Sequence, residues 1–204
     1  MRLGLLYLRS RRAGHALLAL AAAAGLEWLW ANAMLHVPML RGNIQIYVPI
    51  MFFVPLLSAA VVGAAMYSPF SELERTVSRS LPRLRLAHVV GLIAAAFATL
   101  LLAATEWRYD SAELILARNL AGFVGLSLLG ASLLGSRLAW IAPMGYGVLA
   151  YRVGATGDDG YAWWAWPMQP IQNDLAWTLA LGLSAVGLAI VSLLGSRDSS
   201  GEGG

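Results

Sequence analysis

Long apolar runs alternate along this chain with short polar or charged stretches, and most of the runs are close to the length of a membrane crossing. A helix needs about 20 apolar residues to cross roughly 30 Å of hydrocarbon. Six segments meet or approach that length: 14–35, 46–67, 87–105, 114–134, 136–154 and 175–194. The fifth has the shortest charge-free stretch, Leu138 to Tyr151 between Arg137 and Arg152. Those 14 residues cover about 21 Å, so this helix spans only if both arginines snorkel to opposite interfaces. The pattern predicts an all-α polytopic membrane protein: one transmembrane domain over 1–195 and a flexible cytoplasmic tail at 196–204. The first run is too long for a signal peptide and has no small-x-small cleavage site, so it is expected to remain as an anchor.

Orientation follows from the arginines. With the N-terminus inside, Arg2, Arg9, Arg11, Arg12, Arg75, Arg79, Arg83, Arg85, Arg137 and Arg197 face the cytoplasm. Only Arg41, Arg108, Arg118 and Arg152 fall on the outer side. Trp28, Trp30, Trp107, Trp163, Trp164, Trp166 and Trp177 then lie near the outer interface, as an aromatic belt would, with Trp140 at the inner one. The chain is expected in the cell membrane among lipids, with both termini cytoplasmic.

Three stretches between or before the runs stand out. "SPFSELERTVSRSLPRLRLAH", Ser68 to His88, is the largest expected cytoplasmic feature. "RLGLLYLRSRR" at 2–12 suits a helix lying on the inner leaflet. "ATGDDGYAWWAWPMQPIQND" at 155–174 mixes Gly and Pro breakers with aromatics, which suits an outer cap or re-entrant hairpin.

Composition narrows the chemistry. Of 204 residues 59% are hydrophobic and 12% charged, with mean hydropathy +0.66, outside the range of an ordinary water-soluble domain. There is no cysteine, which excludes disulfides, thiolate metal sites and a cysteine nucleophile. No P-loop motif occurs, so any use of ATP needs a partner chain. "GLSLLGAS" in helix four places serines beside glycines, but an intramembrane serine protease also needs a histidine base within reach. The histidines are His15, His36 and His88, near the ends of helices one and three. No H-E-x-x-H is present, and Asp158–Asp159 reads as a solvated glycine turn, so no metal site is expected. Nothing in the pattern calls for nucleic acid.

A few polar residues enter the apolar runs. Glu27 lies about two-thirds of the way across helix one, where a carboxylate either marks a pathway or snorkels outward beside Trp28 and Trp30. Arg118 and Asn119 lie near the outer end of helix four, with Glu113, Glu106 and Glu27 as expected partners for Arg118 and structural pairing favoured over substrate contact. Small residues at 127, 131 and 135 on helix four and at 176, 180 and 184 on helix six predict close helix approach and a possible dimer seam. Pro49 and Pro55 in helix two and Pro143 in helix five are expected to kink those helices.

Taken together, these parts resemble the membrane subunit of type-2 ABC exporters, as a divergent, actinobacterial-like member. That family has six spanning helices, an N-terminal amphipathic helix, a cytoplasmic coupling helix between helices two and three, and a re-entrant pair of short helices between five and six. The counterparts here are 2–12, 68–86 and 155–172. Within "ELERTVSRSLPRLRLAH" the family's loop pattern is matched by Glu72 or Glu74, Thr76, Leu81–Pro82, Arg83 and Arg85, with His88 in place of a lysine and Arg75 in place of a glycine. The resemblance implies that Glu72, Glu74, Arg75, Arg79, Arg83 and Arg85 contact ABC-type ATPase subunits, which bind ATP and Mg while this chain binds no cofactor. It also implies a second permease copy or homologue, Glu27, Arg118 and Asn119 near the pathway, and an outer aromatic cap of Trp163, Trp164 and Trp166. A non-transport membrane scaffold or assembly factor is the alternative. The positive-inside rule alone accounts for the loop arginines, but not for Glu72 and Glu74.

Overall fold

The structure, a computed structural model, describes residues 13–30, 33–38, 45–49, 53–67, 81–104, 111–156 and 160–194. Six α-helices lie among them: α1 (Ala13–Leu29), α2 (Val54–Ala64), α3 (Leu81–Ala103), α4 (Ala112–Leu133), α5 (Ile141–Val153) and α6 (Asp174–Leu194). Three of these, α3, α4 and α6, are long and apolar enough to cross a membrane. Their 23, 22 and 21 residues correspond to about 35, 33 and 32 Å. At 17, 11 and 13 residues, α1, α2 and α5 reach only about 26, 17 and 20 Å.

The ends of the first two apolar runs correct the all-α expectation. Strands β1 (Met34–Pro38) and β2 (Gln45–Pro49) pair antiparallel, with His36 opposite Tyr47 and Leu35 opposite Val48. Val37, Ile46, Tyr47 and Val48 are β-branched or aromatic, and each strand ends on a proline that a helix interior would not accept. Hydropathy alone does not separate such a hairpin from helix.

The expected proline kinks are absent because each proline falls where no helical hydrogen bond is lost. Pro49 ends β2, while Pro55 and Pro143 lie in the first turns of α2 and α5, whose N–H groups have no intrahelical acceptor. Pro82 likewise occupies the first turn of α3, so that helix starts at Leu81 and runs through Arg83, Arg85 and His88. Residues 81–86, the end of the expected coupling segment, therefore lie within α3. The inner-leaflet helix expected at 2–12, the remainder of the charged stretch at 68–80 and the tail at 196–204 lie outside the described residues.

Helix α4 is the hub, with Leu116, Leu120, Phe123, Val124, Leu128 and Ala131 all buried. It touches α6 backbone to backbone. A methyl at Gly125 would sit 2.3 Å from the carbonyl carbon of Leu183, and one at Gly187 would sit 2.7 Å from the Gly125 oxygen. Ser184 Oγ donates to the Ala121 carbonyl at 2.5 Å. On the other side, Gly63 of α2 lies against Ser127 and Ala139, and Gly147 of α5 against Leu56 and Phe123. Small residues make these approaches possible, as in other close helix crossings. Both small-residue faces expected from the sequence are thus used inside the chain.

The same contacts fix helix directions. Residue 121 meets 184 and 125 meets 187, so α4 and α6 run parallel. Leu56 lies level with Phe123 and Gly63 with Ser127, so α2 runs the same way, while Gly130 beside Ala142 and Phe123 beside Gly147 set α5 antiparallel. Outward, α6 exposes Leu175, Leu181, Val186, Leu193 and Leu194, with Leu193 at 72%. A helix apolar on all sides yet packed on one face needs an apolar solvent on the others, which a bilayer supplies.

Candidate functional site: a segment folded back into the bundle

Between α5 and α6 part of the chain folds inward, with Ala165, Trp166 and Pro167 buried. It leaves α5 at Gly154, where a methyl would press on Ala165 Cβ at 2.6 Å, and turns back through an antiparallel bridge between Ala155 and Tyr161. A single 3₁₀ turn follows at Trp166–Met168, in place of the expected pair of short helices. Residues 167–171 thereby keep carbonyls that no helix consumes.

Two of those carbonyls are taken by α4. Arg118 is wholly buried, and its guanidinium donates from Nη1 to the Pro170 oxygen at 3.0 Å and from Nη2 to the Pro167 oxygen at 3.3 Å. Nε donates to Asn119 Oδ1 at 3.3 Å, and Asn119 Nδ2 donates to the same Pro167 oxygen at 3.3 Å. Adjacent residues on one helix thus grip one loop through a planar fork and an amide, a geometry that a lysine does not reproduce. The pairing expected with Glu113 does not occur: Glu113 is exposed in the first turn of α4. Glu106 lies outside the described residues. Glu27 falls within α1, but its side chain is not among those described.

Trp166 anchors the segment more deeply. It is only 2% exposed and its ring fills the space left by Gly122, where a methyl would come within 2.4 Å of Cη2. Phe123 packs tilted at a centroid distance of 5.0 Å, and Tyr146 of α5 stacks at 5.6 Å and 13°. Gly122 and Phe123 are the eleventh and twelfth of the 22 residues of α4, so the indole reaches the middle of that helix, roughly 15 Å along its axis. The Tyr146 hydroxyl also donates to the Trp164 carbonyl.

The return into α6 is tied as firmly. Asn173 caps that helix, its Oδ1 accepting from the Ala176 N–H at 3.0 Å, and its Nδ2 donates to Gln169 Oε1 at 3.1 Å. Gln169 Nε2 in turn donates to the carbonyls of Tyr161 and Ala162 at 3.0 and 2.9 Å. Trp177 Nε1 donates to the Ile171 carbonyl at 3.0 Å.

The sequence-predicted site residues therefore separate. Arg118, Asn119 and Trp166 meet at this segment. Trp164 is half-buried beside them, and Trp163 projects outward at 65% exposure, so the three tryptophans do not form one surface cap. Glu72, Glu74, Arg75 and Arg79 lie outside the described residues, Arg83 falls in the first turn of α3, and Arg85 is half-buried one residue past that turn. Where α2 and α4 end, exposed Arg137 donates to the Tyr67 hydroxyl at 3.2 Å and lies 5.1 Å from its ring centroid. Sequence reasoning missed Gly122, Tyr146, Gln169 and the two proline carbonyls. The cap at Asn173 was missed as well, although Asn173–Asp174 carries the signal of a helix start.

Ser127 and Ser132 direct their hydroxyls to the carbonyls of Ala139 and Leu128 at 3.5 and 3.0 Å. Among the described residues no three His, Asp or Glu side chains gather as a metal site. Comparison with protein-family models, with curated proteins and with solved structures found no match to this chain.

Proposed function

We propose that this chain is the membrane subunit of an ATP-driven exporter of the type-2 ABC kind, working with ABC-type ATPase subunits and a second permease copy or homologue. The observation that carries this reading is the segment between α5 and α6 that folds back to the middle of α4, at the position where such permeases have a re-entrant element. Helix order supports it as well. Six helices are present among the described residues, and α2, α4 and α6 run parallel with α5 opposed, the parity that six crossings require. In this reading the short helices α2 and α5 complete their crossings with the hairpin and the folded segment, and both termini lie in the cytoplasm.

The mechanism then needs no reacting residue here. ATP and Mg act on the partner, closure of the ATPase dimer pushes on the charged stretch, and α2 and α3 carry the displacement into the bilayer. Glu72, Glu74, Arg75, Arg79, Arg83 and Arg85 form the ATPase contact, and an amphipathic or lipid-like substrate moves outward between two copies by alternating access. Reversing the charge of both Glu72 and Glu74 uncouples ATP hydrolysis by the partner from export while insertion is retained. Unchanged export by that double variant removes the coupling role.

A further inference from the structure

Residues 160–173 are held by three helices at once. The Arg118 guanidinium sits two turns inside an apolar helix whose own carbonyls are used within the helix. Apart from its neighbour Asn119, its acceptors are the oxygens of Pro167 and Pro170. Withdrawing the segment would strand a buried cation, whereas the two carbonyls keep second donors, Asn119 Nδ2 on Pro167 at 3.3 Å and the Asn173 N–H on Pro170 at 3.1 Å, so it is the guanidinium that ties the segment to α4. Trp166 in the Gly122 space, the Tyr146 hydroxyl on Trp164 and the Asn173 cap close the remaining sides.

We propose that this segment is a fixed plug, pinned by Arg118, which seals one end of the α4–α5–α6 unit against water and moves with α4 and α6 as one body. It is not a gate that swings during function. Ser184, ten residues into α6, is bonded to the Ala121 carbonyl, one residue from the Gly122 space that Trp166 fills. If the exporter reading holds, the substrate route runs outside this unit, and that clause alone rests on the reading.

The chain has no cysteine, so a single reporter is clean. Ser184→Cys is placed in the full-length protein in lipid nanodiscs, open to both faces, and treated with a membrane-impermeant maleimide. The plug predicts negligible labelling with Arg118 present, at least about tenfold faster labelling with Arg118→Ala, and an intermediate rate with Arg118→Lys, which cannot fork onto two carbonyls. Hydrogen–deuterium exchange of the unmodified protein provides a readout that no variant's misfolding can obscure: peptides over 160–173 exchange as slowly as those of α6. Fast exchange there, labelling of Ser184→Cys with Arg118 intact, or no labelling in a folded Arg118→Ala protein overturns the proposal. None of these measurements uses an ATPase or a substrate, so their outcome is independent of the export reading.

Discussion

A methyl group placed at two glycines should act in opposite directions. In Gly122→Ala the new Cβ would lie 2.4, 2.6 and 2.8 Å from three atoms of the Trp166 ring. Carbon pairs settle at about 3.5–4.0 Å, so the ring would have to move by about 1 Å. It cannot do so freely, because Tyr146 stacks on it and Phe123 abuts it. Overpacking of this kind costs about 1–3 kcal/mol, against about 0.5–1 kcal/mol gained by replacing a mid-helix glycine. In Gly182→Ala the methyl enters open space on the outer face of α6, and only the gain remains. The net cost of about 0–2.5 kcal/mol, at roughly 2–4 °C per kcal/mol for a chain of this size, lowers the unfolding midpoint of Gly122→Ala by up to about 10 °C, while Gly182→Ala leaves it level or raises it by a few degrees. The assay is thermal unfolding in nanodiscs or mild detergent, followed by intrinsic tryptophan fluorescence. Equal shifts of the same sign in the two variants would refute the placement of Trp166 against α4.

Two further predictions follow from the caps and the crossings. Asn173→Ala removes the cap of α6 and its link to Gln169, and should destabilise the protein by about 1 kcal/mol, seen as faster amide exchange confined to the first turn of α6 and the preceding segment. In the proposed topology of six crossings with the N-terminus inside, Ser200→Cys should be labelled only from the cytoplasmic face of oriented vesicles. Labelling from outside would mean that an odd number of helices crosses.

Much of the helical architecture was legible as apolar runs. The expected segments 114–134 and 175–194 differ by at most two residues at either end from α4 and α6, whose length and mean hydropathy leave no competing structure. Where hydropathy was the only guide, the boundaries moved: the end of the run at 14–35 and the start of the run at 46–67 belong to paired strands, because β-branched residues and a terminal proline outweigh apolarity in deciding helix or strand. Prolines were misread for a positional reason, since their cost vanishes in a first helical turn. At the site, Arg118 and Trp166 were visible as unusual residues, but not their use. A guanidinium in a bilayer helix needs acceptors, and the carbonyls that serve it lie 49 and 52 residues away in a stretch of turn formers and aromatics that does not show which carbonyls are left free. Gly122 gave no signal at all, being one glycine among 21.

The account turns on whether the charged stretch and its helices serve an ATPase, and isolating the tagged protein from its native membrane in mild detergent tests that most directly. The account predicts an ABC-type ATPase among the stoichiometric partners identified by mass spectrometry. Stable partners that all lack ATPase motifs would contradict it and would favour a membrane scaffold whose charged stretch only fixes topology.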